Sequence, residues 1–204
     1  MNEHEPGRKH ERQPDAERDA LARDSPRIYV ASLTDYNNGI LHGRWVEATE
    51  DTDAMHAEVA AMLQSSPTAR RYGDPAEEWA IHDYEGFGEL RLAEYDSLSH
   101  IAKIAAGIAR HGLAFTAWAD HVNSDEELLD QFEERYQGEW ESVVVYADDL
   151  LDQLDAERVV AEAPQWLQSY LSIDAAGFAR DLELNGDIVT LDQPDGRVWV
   201  FSNL

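Results

Sequence analysis

Between Asp120 and Glu157 the chain carries 14 carboxylates and one arginine, Arg135, with His121 a further cation only when protonated. A first cluster is Asp125, Glu126, Glu127, Asp130, Glu133 and Glu134. A second is Asp148, Asp149, Asp152 and Asp155, and Asp120, Glu139, Glu141 and Glu157 complete the set. Many lie three or four residues apart, so on a helix they stack along one face at about 5–6 Å. Like charges at that spacing weaken a helix slightly, so the array is tolerated or used.

Other chemistry finds less support. Eight histidines invite a metal site, but a zinc site needs converging ligands, as in His-Glu-x-x-His, and that motif does not occur. A carboxylate is followed three residues later by a histidine once, as Asp53 and His56, whereas a di-iron bundle wants two Glu-x-x-His units. The absence of cysteine removes disulfides, thiolate ligands and a cysteine nucleophile. There is no Gly-x-Ser-x-Gly elbow, Walker loop or dinucleotide fingerprint. Lys9 and Lys103 are the only lysines, which argues against phosphate handling. Carboxylate pairs of the glycosidase kind abound, but nothing singles one out. The expectation is a protein without catalysis, cofactor or metal.

The whole chain of 204 residues has 42 acidic and 16 basic residues, a net charge of -26. Residues 1–27 contribute -1 and residues 28–204 contribute -25. Such a protein repels a nucleic-acid backbone and is not expected to bind DNA directly. Its carboxylates can instead imitate phosphates. Duplex DNA carries one charge per about 1.7 Å of axis, so 25 net charges correspond to about 43 Å of duplex. The partner would then be a groove lined with Lys and Arg that normally holds DNA. Two alternatives stay open on composition: a solvated acidic face of the salt-adapted kind, on an enzyme, and an acidic adapter for another basic DNA-binding partner.

The elements that must carry these residues follow from periodicity. Residues 1–26 are polar and aperiodic and read as a disordered leader, without the apolar stretch of a secretory signal. RIYVASL from Arg27 and ILHGRWVEA form a hairpin about the turn TDYNNG. A helix follows with Met55, Val59, Met62 and Leu63 on one face, capped by Asp51 or Asp53. SSPTARRYGDP reads as a loop, and EWAIHDY as a third strand. Leu98, Ile101, Ile104, Ala105 and Ile108 mark a helix ending near Gly112, with LAFTAWAD a second. Ser124 and Glu127 form a capping box ahead of a stripe of Leu128, Phe132 and Tyr136, broken at Gln137-Gly138. Ser142 opens a helix with Val143, Ala147, Leu150 and Leu154 facing inward. Pro164 opens one through Leu171, and Asp174 to Leu184 form another. DIVTL, DQPDG and RVWVF close the chain as a hairpin.

The expected class is α+β, in modules at 27–96 (sheet and helix), 97–136 (helical) and 137–204 (α+β). Tyr36, Trp45, Tyr84 and Phe87 are expected to be core anchors. No run of about 18 apolar residues is present, so no membrane-spanning helix is expected.

These residues also match a known pattern. IYVASLTDYNNGILHGRW resembles the opening strand, Tyr-Asn-x-Gly turn and Gly-x-Trp return of the ArdA antirestriction proteins. EWAIHDYEGF is similar to that family's Asp-Tyr-Glu signature. YQGEWESVVVYADDLLDQ resembles its acidic helix region, and APQWLQSYLSIDAAGFARDLELNGDI with VWVF its C-terminal module. The resemblance spans about residues 27–204 and keeps the family's order. It implies an elongated three-module protein that dimerises through its C-terminal module; Trp166, Tyr170 and Phe178 are candidates either for that interface or for simple core packing. It further implies an acidic surface imitating bent B-form DNA. That surface would occupy the DNA groove of the specificity and modification subunits of type I restriction-modification enzymes, in the cytoplasm, for the benefit of a mobile element.

Overall fold

The computed structural model describes residues 25–73 and 75–203. Nearly all of the expected leader therefore lies outside the described residues. The chain forms two compact units, one up to Asp120 and one from His121. Both are mixed α+β, each built on a three-stranded antiparallel sheet.

In the first unit the strands are β1 (Arg27–Ser32), β2 (Gly43–Glu47) and β3 (Trp79–Glu85), in the order β2-β1-β3. Ile28 pairs with Val46 and with Tyr84, so one face is apolar. Helix α2 (Thr52–Gln64) covers that face with Met55, Val59 and Met62, all buried. Of the two candidate caps, Asp51 is the one used: its carboxylate accepts from the Ala54 N–H at 2.9 Å. Helix α4 (Leu98–His111) packs on α2 through the expected Leu98, Ile101, Ile104, Ala105 and Ile108 face. Its Gly107 sits against Phe115 of α5 (Leu113–His121), where a Cβ would come within 2.2 Å of the ring.

Two segments are more ordered than their composition suggested. TDYNNG holds a short helix, α1 (Leu33–Asn37), because the Ser32 side chain caps it by accepting from the Asp35 N–H. SSPTARRYG, expected as a loop, is helix α3 (Pro67–Tyr72): Ser66 caps it and Pro67 stands in its first turn.

In the second unit the strands are β4 (Tyr136–Trp140), β5 (Ile188–Asp192) and β6 (Val198–Ser202), in the order β4-β6-β5. The β5–β6 hairpin has the expected Pro-Asp-Gly turn. Strand β4 replaces the expected helix break: Tyr136 pairs with Phe201 and does not extend a helix, and Gly138 absorbs the register shift at φ 106°. Two helices cover one face, α8 (Val143–Gln153) and α11 (Ala175–Asn185). Tyr146, Ala147, Ala179, Leu182, Ile188 and Val200 form that core, with Phe178 half-buried against it. Leu154, expected inward, is 65% exposed just past the helix.

On the opposite face lie α6 (Glu126–Asp130) and α7 (Phe132–Arg135). Successive strand residues point to opposite sides, so while Val200 faces α8, Phe201 meets Phe132 of α7 at 5.7 Å and Tyr136 at 5.3 Å. Ser124 is not the cap of α6. Asp125 is, accepting from the N–H groups of Glu127 and Leu128, and Leu129 rather than Leu128 is buried. Between α8 and α11 come α9 (Ala156–Ala161) and α10 (Gln165–Gln168), neither with a buried residue. The helix expected from Pro164 to Leu171 is thus one turn long, and none of its residues is buried to stabilise a longer one.

Candidate functional site

The second unit concentrates the charge, with 20 acidic residues against four arginines from position 121 onward. Its three-stranded sheet explains how they are displayed. Helix α7 lies on one face and α8 on the other, and edge strand β4 joins them. The acids therefore run from α6 and α7, around the β4 edge, and onto α8. Of the 14 carboxylates singled out in the sequence, 13 are exposed and Asp149 is half-buried. Asp120 lies on α5 at the boundary of the first unit. The Asp149 carboxylate accepts from the Gln153 side chain at 2.6 Å.

Spacing shows why more than one helix is needed. Four residues of helix rise about 6 Å, so Asp148 and Asp152, or Glu126 and Asp130, present one charge per about 6 Å. One strand of duplex presents one per about 3.4 Å. A single helix is too sparse by nearly half, so matching that density takes carboxylates from more than one element.

The few cations near this array are engaged. Arg135 turns to the C-terminal strand: Nη1 donates to the Ser202 carbonyl and to Asn203 Oδ1, both at 3.1 Å, and Nε to Gln131 at 2.9 Å. Arg158 sits between Asp155 (3.5 Å) and Glu162 (3.3 Å). Arg197 pairs with Glu139 and with Asp195, the latter at 2.6 Å. Glu139 is therefore partly neutralised inside the array, a feature the sequence did not reveal because its partner lies 58 residues away.

The apolar candidates divide. Trp166 is 73% and Tyr170 80% exposed, and Leu171 and Ile173 beside them are also exposed. Phe178 packs into the core below α8. In the first unit Phe87 is buried and Tyr84 meets it edge-on at 6.0 Å. Trp45 stacks edge-on with Tyr29 at 5.6 Å beneath the Arg27 guanidinium. Tyr36, expected as an anchor, is 52% exposed and meets His82 edge-on at 4.9 Å. His56 bonds back to the Thr52 carbonyl of its own helix. Among the described residues no three His, Cys, Asp or Glu converge on a metal position, and no helix is long and apolar enough to cross a membrane.

A mixed α+β chain with this many exposed carboxylates and so few cations is an acidic protein without a metal cluster among its described residues. The family comparison makes this specific: the model for the antirestriction protein ArdA matches residues 28–194, and the chain belongs to the ArdA antirestriction family. No curated protein matches it. ArdA proteins are non-catalytic inhibitors that imitate DNA and target type I restriction enzymes.

Proposed function

We propose that the carboxylates from Asp120 to Glu157 are the DNA-imitating surface of this chain, and that they competitively occupy the DNA-binding groove formed by the specificity and modification subunits. The observation that carries this reading is the exposure of 13 of the 14 acids while Arg135, the one arginine among them, is turned into the fold. Each exposed pair with a groove Lys or Arg is worth about 0–1 kcal/mol, so affinity is collective. Released counterions make it fall as salt rises.

We infer further that the protein works as a homodimer in the cytoplasm. The segment from Leu154 to Ile173 exposes Leu154, Val159, Trp166, Tyr170 and Leu171, and its two short helices, which carry Val159 and Trp166, have no buried residue. A second copy seated there would cover these side chains, with Trp166 and Tyr170 as anchors and Phe178 contributing what its core packing leaves exposed. It would also double the length of imitated duplex.

The test is competition between this protein and a labelled duplex for a purified type I enzyme in low salt. The expected result is displacement of DNA at stoichiometric inhibitor, and no binding of the duplex by the inhibitor alone. Undiminished DNA binding at saturating inhibitor overturns the reading. Capture of only an unrelated basic protein in a pull-down would favour an adapter.

A further inference from the structure

We propose that Arg135 is a positioning residue for the acidic surface, so that removing this positive charge weakens inhibition rather than strengthening it. The inference rests on the function proposed above. Helices α6 and α7 are five and four residues long, far below the length at which a helix holds itself together in water. Their placement must come from tertiary contacts.

Arg135 supplies polar ones on three sides. Nε holds Gln131 at the junction of α6 and α7. Nη1 reaches the Ser202 carbonyl at the end of β6 and Asn203 Oδ1. Asn203 in turn donates from its backbone N–H to the Asp187 carbonyl at 2.9 Å and from Nδ2 to the Gly186 carbonyl at 3.0 Å. The guanidinium and Asn203 thus tie α7 to the end of β6 and to the turn between α11 and β5. Behind them Phe132 stacks on Tyr136, and Phe201 meets Phe132 edge-on and Tyr136 at a tilt. Glu126, Glu127, Asp130, Glu133 and Glu134 ride on the element so fixed. A planar fork suits three acceptors in different directions; a lysine ammonium on a flexible stem does not.

The two accounts of Arg135 predict opposite signs. As a mere cation among acids it opposes binding, and Arg135→Gln should tighten inhibition. As a strut it aligns the acids before the enzyme is met, and its loss adds an ordering cost to binding. The experiment is the duplex competition assay repeated at several salt concentrations, with wild type, Arg135→Gln, Arg135→Lys and Asn203→Ala. The slope of log affinity against log salt counts the charge pairs formed.

The expected result is roughly three- to tenfold weaker inhibition with a shallower slope for Arg135→Gln and Asn203→Ala, and partial recovery with Arg135→Lys. Tighter inhibition by Arg135→Gln overturns the inference. So does a loss of active fraction with unchanged affinity and slope, which is what simple unfolding gives. If Arg135→Gln does not fold by circular dichroism, Asn203→Ala, which keeps every charge, decides: unchanged affinity and slope overturn the strut. Failure of the wild type to displace DNA overturns the functional reading itself, and this inference with it.

Discussion

The carboxylate of Asp35 accepts a hydrogen bond from the backbone N–H of Thr68 at 2.9 Å, joining α1 to the first turn of α3 across 33 residues of chain. Asp35 is fully buried. Burial alone would push its carboxyl up, but the hydroxyls of Thr68, Ser66 and Ser32 and the Thr68 N–H together hold it well below the ordinary carboxylate range. A depressed folded value means that the unfolded chain takes up the proton first. The stabilisation is therefore complete above the unfolded value near 4 and is lost as pH falls below it. Asp35→Asn should lower stability at pH 7 by about 1–3 kcal/mol, and the gap to wild type should close between about pH 4 and pH 2. Thermal melts across that range check this; a gap independent of pH would assign the loss to packing alone.

Neutralising the array should act by accumulation. Changing any one of Glu126, Asp130, Glu133, Asp148, Asp152 or Asp155 to its amide should shift the competition midpoint by no more than about fivefold, the ceiling for an exposed pair. Four or more together should weaken inhibition progressively and flatten its salt dependence. Asp125 needs separate handling because it also caps α6. Asparagine caps as well as aspartate, so Asp125→Asn isolates the charge, whereas Asp125→Ala would remove the cap too. A single amide change that abolished inhibition would point to one localised hot spot.

Much of this was readable from residue types. The Met55–Val59–Met62 and Leu98–Ile108 faces, the Pro-Asp-Gly hairpin and the exposed acids all follow from local pattern, because each is decided within a few residues. Strand β4 was not readable. Tyr136 continues the Phe132 stripe at helical spacing, and only its pairing with Phe201, 65 residues on, makes it a strand. Helix α3 was hidden by Pro67 and two serines that also suit a loop. The Arg135 and Arg197 contacts were invisible for the same reason as β4: their partners are distant in sequence, and local pattern carries no record of them.

Trp166 and Tyr170 give the oligomer a direct test. Each is exposed on a segment with no buried residue, so neither supports the fold of a single chain. Trp166→Ala with Tyr170→Ala should convert the dimer to a species near 23.0 kDa in sedimentation and leave far-UV circular dichroism unchanged. Large buried aromatics are typical interface hot spots, worth 2 kcal/mol or more each by the usual ~2 kcal/mol criterion. A protein that stays dimeric after both changes would place the interface elsewhere.

Arg197 should behave in the opposite sense to Arg135, although both are arginines within the acidic unit. Its guanidinium lies against Glu139 and Asp195 at the mouth of the β5–β6 hairpin, where the turn is already set by Pro194, Gly196 and the backbone pairing of Gln193 with residue 197. Removing it takes no strut from α6 or α7 and restores the charge of Glu139 to the β4 edge. Arg197→Gln should therefore strengthen inhibition in low salt by about twofold to fivefold, the range of one surface pair, and steepen the salt dependence. Glu139→Gln, by the same reasoning, should cost less than Asp152→Asn, since a neighbour already offsets its charge. The three variants in one competition series check this. Weaker inhibition by Arg197→Gln would mean that the ion pair holds β4 in place and that its geometry outweighs its charge.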